Sequence, residues 1–358
     1  MFVRWAEQDI GIEASRQLPG YAEPATVRRF EAPEALDIRF MEVRAKSALN
    51  RVPAASRVPF RWTVNPYRGC THACVYCFAR PTHEYLGLGA GRDFEREVIV
   101  KVNVPEVLRA ELARPSWRRE HVALGTNTDP YQWVEGRYQL MRGIWAALRD
   151  AGNPCSILTK SPLVLRDVDL LREIAEVTDV GACLSVPTLD EKAWRATEPH
   201  TPHPRARLEA VAELNRQGIP TGILISPLMP GINDSPRQVE RVIELATEAG
   251  AVSIGGSTLF LRGSVRGIFF EWLKSQRPDL LPRYEELYRD GAYAPTAERR
   301  RIERSARVPG ERLQPYPAAE QGRPGHLHSR GGELCRDDDR PSARGAPRPA
   351  LSRQESLF

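Results

Sequence analysis

Cys70, Cys74 and Cys77 fall within one short stretch, Cys70-Thr71-His72-Ala73-Cys74-Val75-Tyr76-Cys77, and no other feature of the chain restricts its folding as strongly. With 6 Cys in 358 residues, finding a second and a third at these fixed offsets from a first has a chance of roughly (6/358)², a few in ten thousand. A loop of this kind reads first as a metal site. Zinc asks for four protein ligands in a closed tetrahedral site. Only half a knuckle is offered here, His72 lies between the first two cysteines where it reaches the same ion poorly, and no second C-x2-C follows. A four-iron cluster on three thiolates leaves one iron open to a substrate or cofactor, which accounts for three cysteines and not four. A structural zinc loop and unligated buried cysteines are the competing readings.

The rest of the chain indicates where such a loop would sit. A hydrophobic content of 41% over this length is enough for one large core or two modest ones. No apolar run is long enough for a bilayer, and the N-terminus lacks the pattern of a signal peptide, so a cytoplasmic protein without membrane contact is expected. Cys155, Cys183 and Cys335 are scattered singly, which suits a reducing compartment. From Phe60 onward short apolar runs alternate with amphipathic stretches. Strands are expected near residues 60–65, 98–102, 121–125, 156–159, 181–186 and 221–225, with a last one beginning at 252–254. Between them fall helices such as 139–150, 167–176 and 204–217, and one from the Ser235 cap to Gly250. The fold class predicted is α/β, a partial (β/α)6 TIM-type barrel. Its site belongs at the carboxyl ends of the strands, where Thr126, Asp129, Lys160 and Ser185 gather.

The cysteine loop, with Gly69 before the first Cys and Tyr76 before the last, resembles the cluster loop of the radical S-adenosylmethionine (radical SAM) enzymes. Over residues 60 to about 270 the resemblance narrows, through Asn65-Pro66-Tyr67-Arg68-Gly69-Cys70, Gly125-Thr126-Asn127-Thr128-Asp129-Pro130-Tyr131-Gln132, Thr159-Lys160-Ser161, Glu198-Pro199 and Ser226-Pro227-Leu228-Met229-Pro230-Gly231, to the branch related to spore photoproduct lyase. It implies a [4Fe-4S] cluster on Cys70, Cys74 and Cys77, with S-adenosylmethionine chelating the open iron and cleaved to a 5′-deoxyadenosyl radical. Tyr76 would lie beside the adenine, and Thr126, Thr128, Lys160 and Ser185 would surround the methionine and ribose. Asp129 belongs with Lys160 in the cofactor's charge environment, and Arg207 with Glu198 is either a further ligand or a structural pair. A reductant such as flavodoxin or ferredoxin is the implied electron donor. Nucleic acid in DNA repair is one implied substrate class; a small molecule or peptide is the alternative, and a non-enzymatic metal-binding protein is the third reading.

The branch's hydrogen-donating cysteine and tyrosine are replaced here by Thr126 and Phe78, neither of which donates a hydrogen atom readily. Dimer reversal by that route is therefore not expected, and Cys155 and Cys183 are the substitute donors to consider. The flanks read differently. Residues 1–56 lack a clear period and form an irregular N-terminal extension to a core at 57–290, followed by a charged helical or linker segment at 291–317. Residues 318–358 are rich in Gly, Pro, Arg and Ser and read as a disordered tail. The tail ends in Gln354-Glu355-Ser356-Leu357-Phe358, which resembles the peptide by which bacterial repair proteins bind the sliding clamp, with Gln354, Leu357 and Phe358 as anchors.

Overall fold

The computed structural model describes residues 12–306 apart from residues 36 and 57. The expected tail at 318–358, with Cys335 and the anchors Gln354, Leu357 and Phe358, lies outside the described residues, as do 1–11 and 307–317. Twelve strands are described: β1 (Ile12–Arg16), β2 (Ala25–Arg28), β3 (Arg39–Val43), β4 (Leu49–Arg51), β5 (Trp62–Val64), β6 (Tyr67–Arg68), β7 (Glu97–Lys101), β8 (Val122–Leu124), β9 (Cys155–Thr159), β10 (Val180–Ser185), β11 (Thr221–Leu228) and β12 (Ile254–Thr258).

Strands β5, β8, β9, β10, β11 and β12 pair in parallel in chain order, with β4 antiparallel on the outside of β5. The sheet is open, a partial barrel. Its helices follow from ordinary local chemistry. Ser235 accepts from the Gln238 amide and Pro236 opens helix Pro236–Glu248, while Gly250, at φ +72°, takes the left-handed turn beyond its end. Pro204–Arg216 repeats the cap and the opening proline, His203 accepting from the Arg205 amide, and with Leu140–Asp150 and Val168–Val177 it lays Leu214, Trp145 and Leu171 on the sheet. Alternation along the strands then sorts the side chains. Ile157, Leu184 and Ile223 enter the core beneath the helices, which leaves Lys160, Ser185 and Ser226 on the opposite, concave face.

The N-terminal region is more regular than its sequence suggests. Strands β1, β2 and β3 form a second sheet with β7 and β6, in which β3 runs parallel to β7 with Arg39 opposite Glu97. The stretch at 98–102 thus pairs with the N-terminal extension and stands outside the barrel. Its period was hidden because charged residues also occupy buried strand positions, as Glu97 does opposite Arg39. Of the charged segment, Thr296–Ser305 is helical and buries Ile302 in the main core. Arg301 of this helix pairs with Asp234 in the loop after β11, and a Cβ on Gly256 of β12 would come within 2.5 Å of the Ala306 methyl carbon. The helix therefore packs on the core face of the sheet at β12. No helix among the described residues is long and apolar enough to cross a membrane.

Candidate active site

The cysteine loop leaves β6 at the concave face and is tied down on every side. Gly69 takes φ +83°, and a Cβ there would come within 2.9 Å of the Phe94 carbonyl oxygen and the His83 ring, so the turn into Cys70 requires glycine. The Cys70 amide donates to that Phe94 carbonyl at 2.9 Å. Gln132, fully buried, accepts from the Thr71 amide at 2.9 Å and donates to the Gly69 carbonyl at 3.1 Å. On the far side, the Val75 amide donates to the Thr197 carbonyl at 3.1 Å, which sets the loop against Glu198.

Cys70 and Cys74 are buried and Cys77 is half-buried, all as free thiols. Burial pushes all three thiols up. A thiolate is stable in such a place only beside a metal cation. Among the described residues no three His, Cys, Asp or Glu side chains converge as they would on a single ion. Zinc requires that convergence, whereas a four-iron cube takes each thiolate on a different corner and does not. The Thr71 hydroxyl, buried in the loop between the first two cysteines, has no partner among the described residues. The sulfur atoms of a cluster would give it an acceptor, so the residues present fit the group.

Beside the loop lies a buried polar knot centred on Glu198, the acid that sequence reasoning left undecided. Tyr76 donates its hydroxyl to Glu198. Lys160 Nζ stands 2.9 Å from the same oxygen and donates to Ser185 Oγ at 2.7 Å. Arg207 donates to the other oxygen of Glu198 at 2.7 Å, to Thr201 Oγ1 at 2.6 Å and to the Ser185 carbonyl at 2.9 Å. Burial alone would raise the Glu198 carboxyl, but Arg207, Lys160 and the Tyr76 hydroxyl outweigh it and hold the group well below the usual carboxylate range. Lys160 is the member nearest solvent, its side chain 15% exposed, while Arg207 and Glu198 are sealed.

The structure thus brings Tyr76, Lys160, Ser185 and Arg207 together, and distributes the other expected residues differently. Thr128 turns its hydroxyl to the Tyr67 carbonyl at 3.0 Å, bracing β6. Asp129 spends its carboxylate on its own scaffold: it accepts from Thr159 Oγ1 and the Lys160 amide, both at 2.7 Å, and from the Tyr131 amide at 2.9 Å. It also faces His72 Nδ1 at 3.4 Å, joining the cysteine loop to the end of β9. Burial pulls the His72 imidazole down, with Asp129 opposing. Thr126 is half-buried just after Gly125, where a Cβ would strike the Leu158 carbonyl oxygen at 1.8 Å; β8 therefore ends pressed on β9. Cys155 belongs to the apolar core behind the sheet. Cys183 lies on the concave side of β10, two residues below Ser185, its thiol pushed up to about 12 by burial against the opposing influence of Lys160. Phe78 is 57% exposed beside Cys77. Sequence reasoning gave no role to Gln132 or Arg80, whose partners in the cysteine loop are visible only in three dimensions; no local pattern marked them.

Comparison with known proteins agrees with this geometry. The family model of the radical SAM superfamily matches residues 64–257. An uncharacterized protein of Mycobacterium tuberculosis (strain ATCC 25618 / H37Rv) is 47% identical over 301 residues, covering 83% of this chain and 88% of that protein. A radical SAM Nalpha-GlyT isomerase of Pseudomonas phage M6 is 28% identical over 171 residues, or 47% of this chain and 33% of the isomerase. Among solved structures, spore photoproduct lyase complexed with dinucleoside spore photoproduct superposes with a TM-score of 0.54 at 14% identity, covering 75% of this chain and 77% of the other. A point mutant of the same lyase gives 0.54 at 17% identity, covering 74% and 76%. The fold is that of spore photoproduct lyase, and the chain is an enzyme of the radical SAM superfamily, whose cofactors are a [4Fe-4S] cluster and S-adenosylmethionine.

Proposed function

We propose that Cys70, Cys74 and Cys77 hold the cluster, that the Glu198 knot receives S-adenosylmethionine, and that the substrate is a nucleic acid. The observation that carries the reading is the meeting of Lys160, Ser185 and Glu198 with Tyr76 of the cysteine loop. When bound, the cluster supplies the electron that splits S-adenosylmethionine into methionine and a 5′-deoxyadenosyl radical. The chain's own residues orient the cofactor. Lys160, the cation of the knot nearest solvent, suits the methionine carboxylate, and the sealed Glu198 holds Lys160 in place for it. Ser185 and Thr126 line the same rim for the ribose, and Tyr76 offers its ring to the adenine. Arg207, Asp129 and Thr128 act one layer out: Arg207 keeps Glu198 ionised, Asp129 fixes the Lys160 backbone, and Thr128 fixes β6.

Two points favour nucleic acid over a small molecule or peptide. Phe78 presents an exposed ring beside the cluster loop, a surface on which an unpaired base stacks. The dinucleoside bound by the lyase of like fold points the same way. Repair of DNA in the cytoplasm, with a flavodoxin or ferredoxin as electron donor, is the setting this reading implies. The test is isotopic. Reduced protein is given S-adenosylmethionine together with fully deuterated cellular DNA, RNA, or the deuterated metabolite and peptide fraction. Deuterium in the 5′-deoxyadenosine with DNA or RNA is expected; deuterium only with the metabolite and peptide fraction refutes the nucleic-acid assignment.

A further inference from the structure

Arg80, three residues beyond Cys77, is 1% exposed and directs its guanidinium back into the cysteine loop. Its Nε and Nη2 donate to the Cys74 carbonyl at 3.0 and 2.9 Å, and Nη2 also donates to the Ala73 carbonyl at 3.1 Å. Nη1 donates to the carbonyls of Ala90 and Gly91 at 3.2 and 3.1 Å. The ring of Phe94, whose carbonyl holds the Cys70 amide, lies 5.3 Å from the guanidinium carbon. One side chain therefore grips both the loop and the strap at 90–94 that supports it. Ala73 is among the few non-glycine residues at positive φ, +55°, so the grip falls on the most strained turn of the loop.

Five hydrogen bonds to carbonyls satisfy the donors and leave the charge poorly balanced. Among the described residues the carboxylate paired with Arg80 is Glu95, which accepts from Nη2 at 2.5 Å; its side chain is 29% exposed, so water offsets part of its charge. A sealed cation whose carboxylate partner faces water is costly to bury unless a further negative charge stands close by. The thiolates of the loop supply it: three of them outweigh the charge of an oxidised four-iron core, and reduction adds one negative charge more. We propose that Arg80 is a positioning residue that also sets the electron affinity of the cluster, favouring its reduced state. The inference concerns the chain's hold on its cofactor and is independent of the substrate.

The test uses the full chain, reconstituted anaerobically, without S-adenosylmethionine or substrate. Iron and sulfide content are measured first, then the midpoint potential by redox titration followed by electron paramagnetic resonance. Arg80→Gln should shift the potential downward, Arg80→Lys should keep it near wild type, and Glu95→Gln, which strips away the screening carboxylate, should shift it upward. Opposite shifts in the Gln variants establish the charge effect. Should Arg80→Gln fail to hold iron, Glu95→Gln decides alone: a raised potential supports the proposal, and an unchanged one overturns it. Wild-type potentials in both Gln variants also overturn it and leave Arg80 a purely structural clamp.

Discussion

Lys160 and Arg207 bind the same carboxylate, yet their removal should have different consequences, and the difference follows from burial. Lys160 reaches Glu198 from the solvent side and is the cation available to a ligand. Lys160→Met should cost roughly 1.5 to 3 kcal/mol in S-adenosylmethionine binding, the range for a hydrogen bond to a charged group, or about ten- to more than a hundredfold in Kd. The fold should be little affected, because Arg207 and Tyr76 still hold Glu198. Arg207 is sealed and also binds the Ser185 and Pro202 carbonyls. Arg207→Met strands a buried carboxylate and two carbonyls, at about 3 to 5 kcal/mol of global stability. At about 2 °C per kcal/mol for a chain of this size, Tm should fall by roughly 6 to 10 °C. Anaerobic calorimetry of ligand binding and of thermal unfolding on both iron-loaded variants separates the two effects. Wild-type affinity in Lys160→Met removes Lys160 from the cofactor site, and a wild-type Tm in Arg207→Met refutes the brace.

Replacing Cys70, Cys74 or Cys77 by Ala should abolish iron binding, whereas Cys155→Ala and Cys183→Ala should retain it; iron and sulfide assays after reconstitution check this. Lys101 is buried against the Asn65 carbonyl at 2.9 Å, and burial, aided by Arg68, pushes its ammonium down to about 7. Below that pH both the folded and the unfolded states are protonated and the fold bears the full cost. As pH rises from about 7 toward the unfolded value near 10.4, the folded state loses its proton first and stability increases. Urea unfolding across this window should show the rise in wild type and lose it in Lys101→Met; an equal slope in both refutes it. A peptide of the C-terminal residues should bind sliding clamp at micromolar Kd or weaker, since burying Leu357 and Phe358 yields about 3 to 6 kcal/mol before ordering costs. Fluorescence anisotropy should show that binding lost when both become Ala, and no saturation near millimolar clamp withdraws the partner.

How far the sequence could be read depended on the range of the contacts. The parallel strands were legible because a strand such as Val180–Ser185 is buried along its whole length and reads as one apolar run. The cysteine loop was legible because its three cysteines are neighbours in the chain. The N-terminal sheet was not, since Arg39–Val43 gains its meaning from pairing with Glu97–Lys101, which lies far along the chain. The same holds for the site: Tyr76 meets Glu198 across 122 positions, and Gln132 holds Gly69 across 63. Thr126, Thr128 and Asp129 sat in one motif with equal claim to a ligand. Their division depends on the sharp bend at Gly125, which turns Thr128 and Asp129 back onto the scaffold, and no local pattern encodes that outcome.

The central claim is that three cysteines hold a cluster whose open iron meets S-adenosylmethionine next to Lys160 and Glu198. Its most direct test is the electron paramagnetic resonance spectrum of the reduced, reconstituted protein before and after adding S-adenosylmethionine, with 5′-deoxyadenosine measured in the same sample. A brown protein whose signal shifts on addition and that releases 5′-deoxyadenosine and methionine is predicted. A colourless protein with stoichiometric zinc, or a cluster whose spectrum ignores S-adenosylmethionine and yields no 5′-deoxyadenosine, would contradict the account.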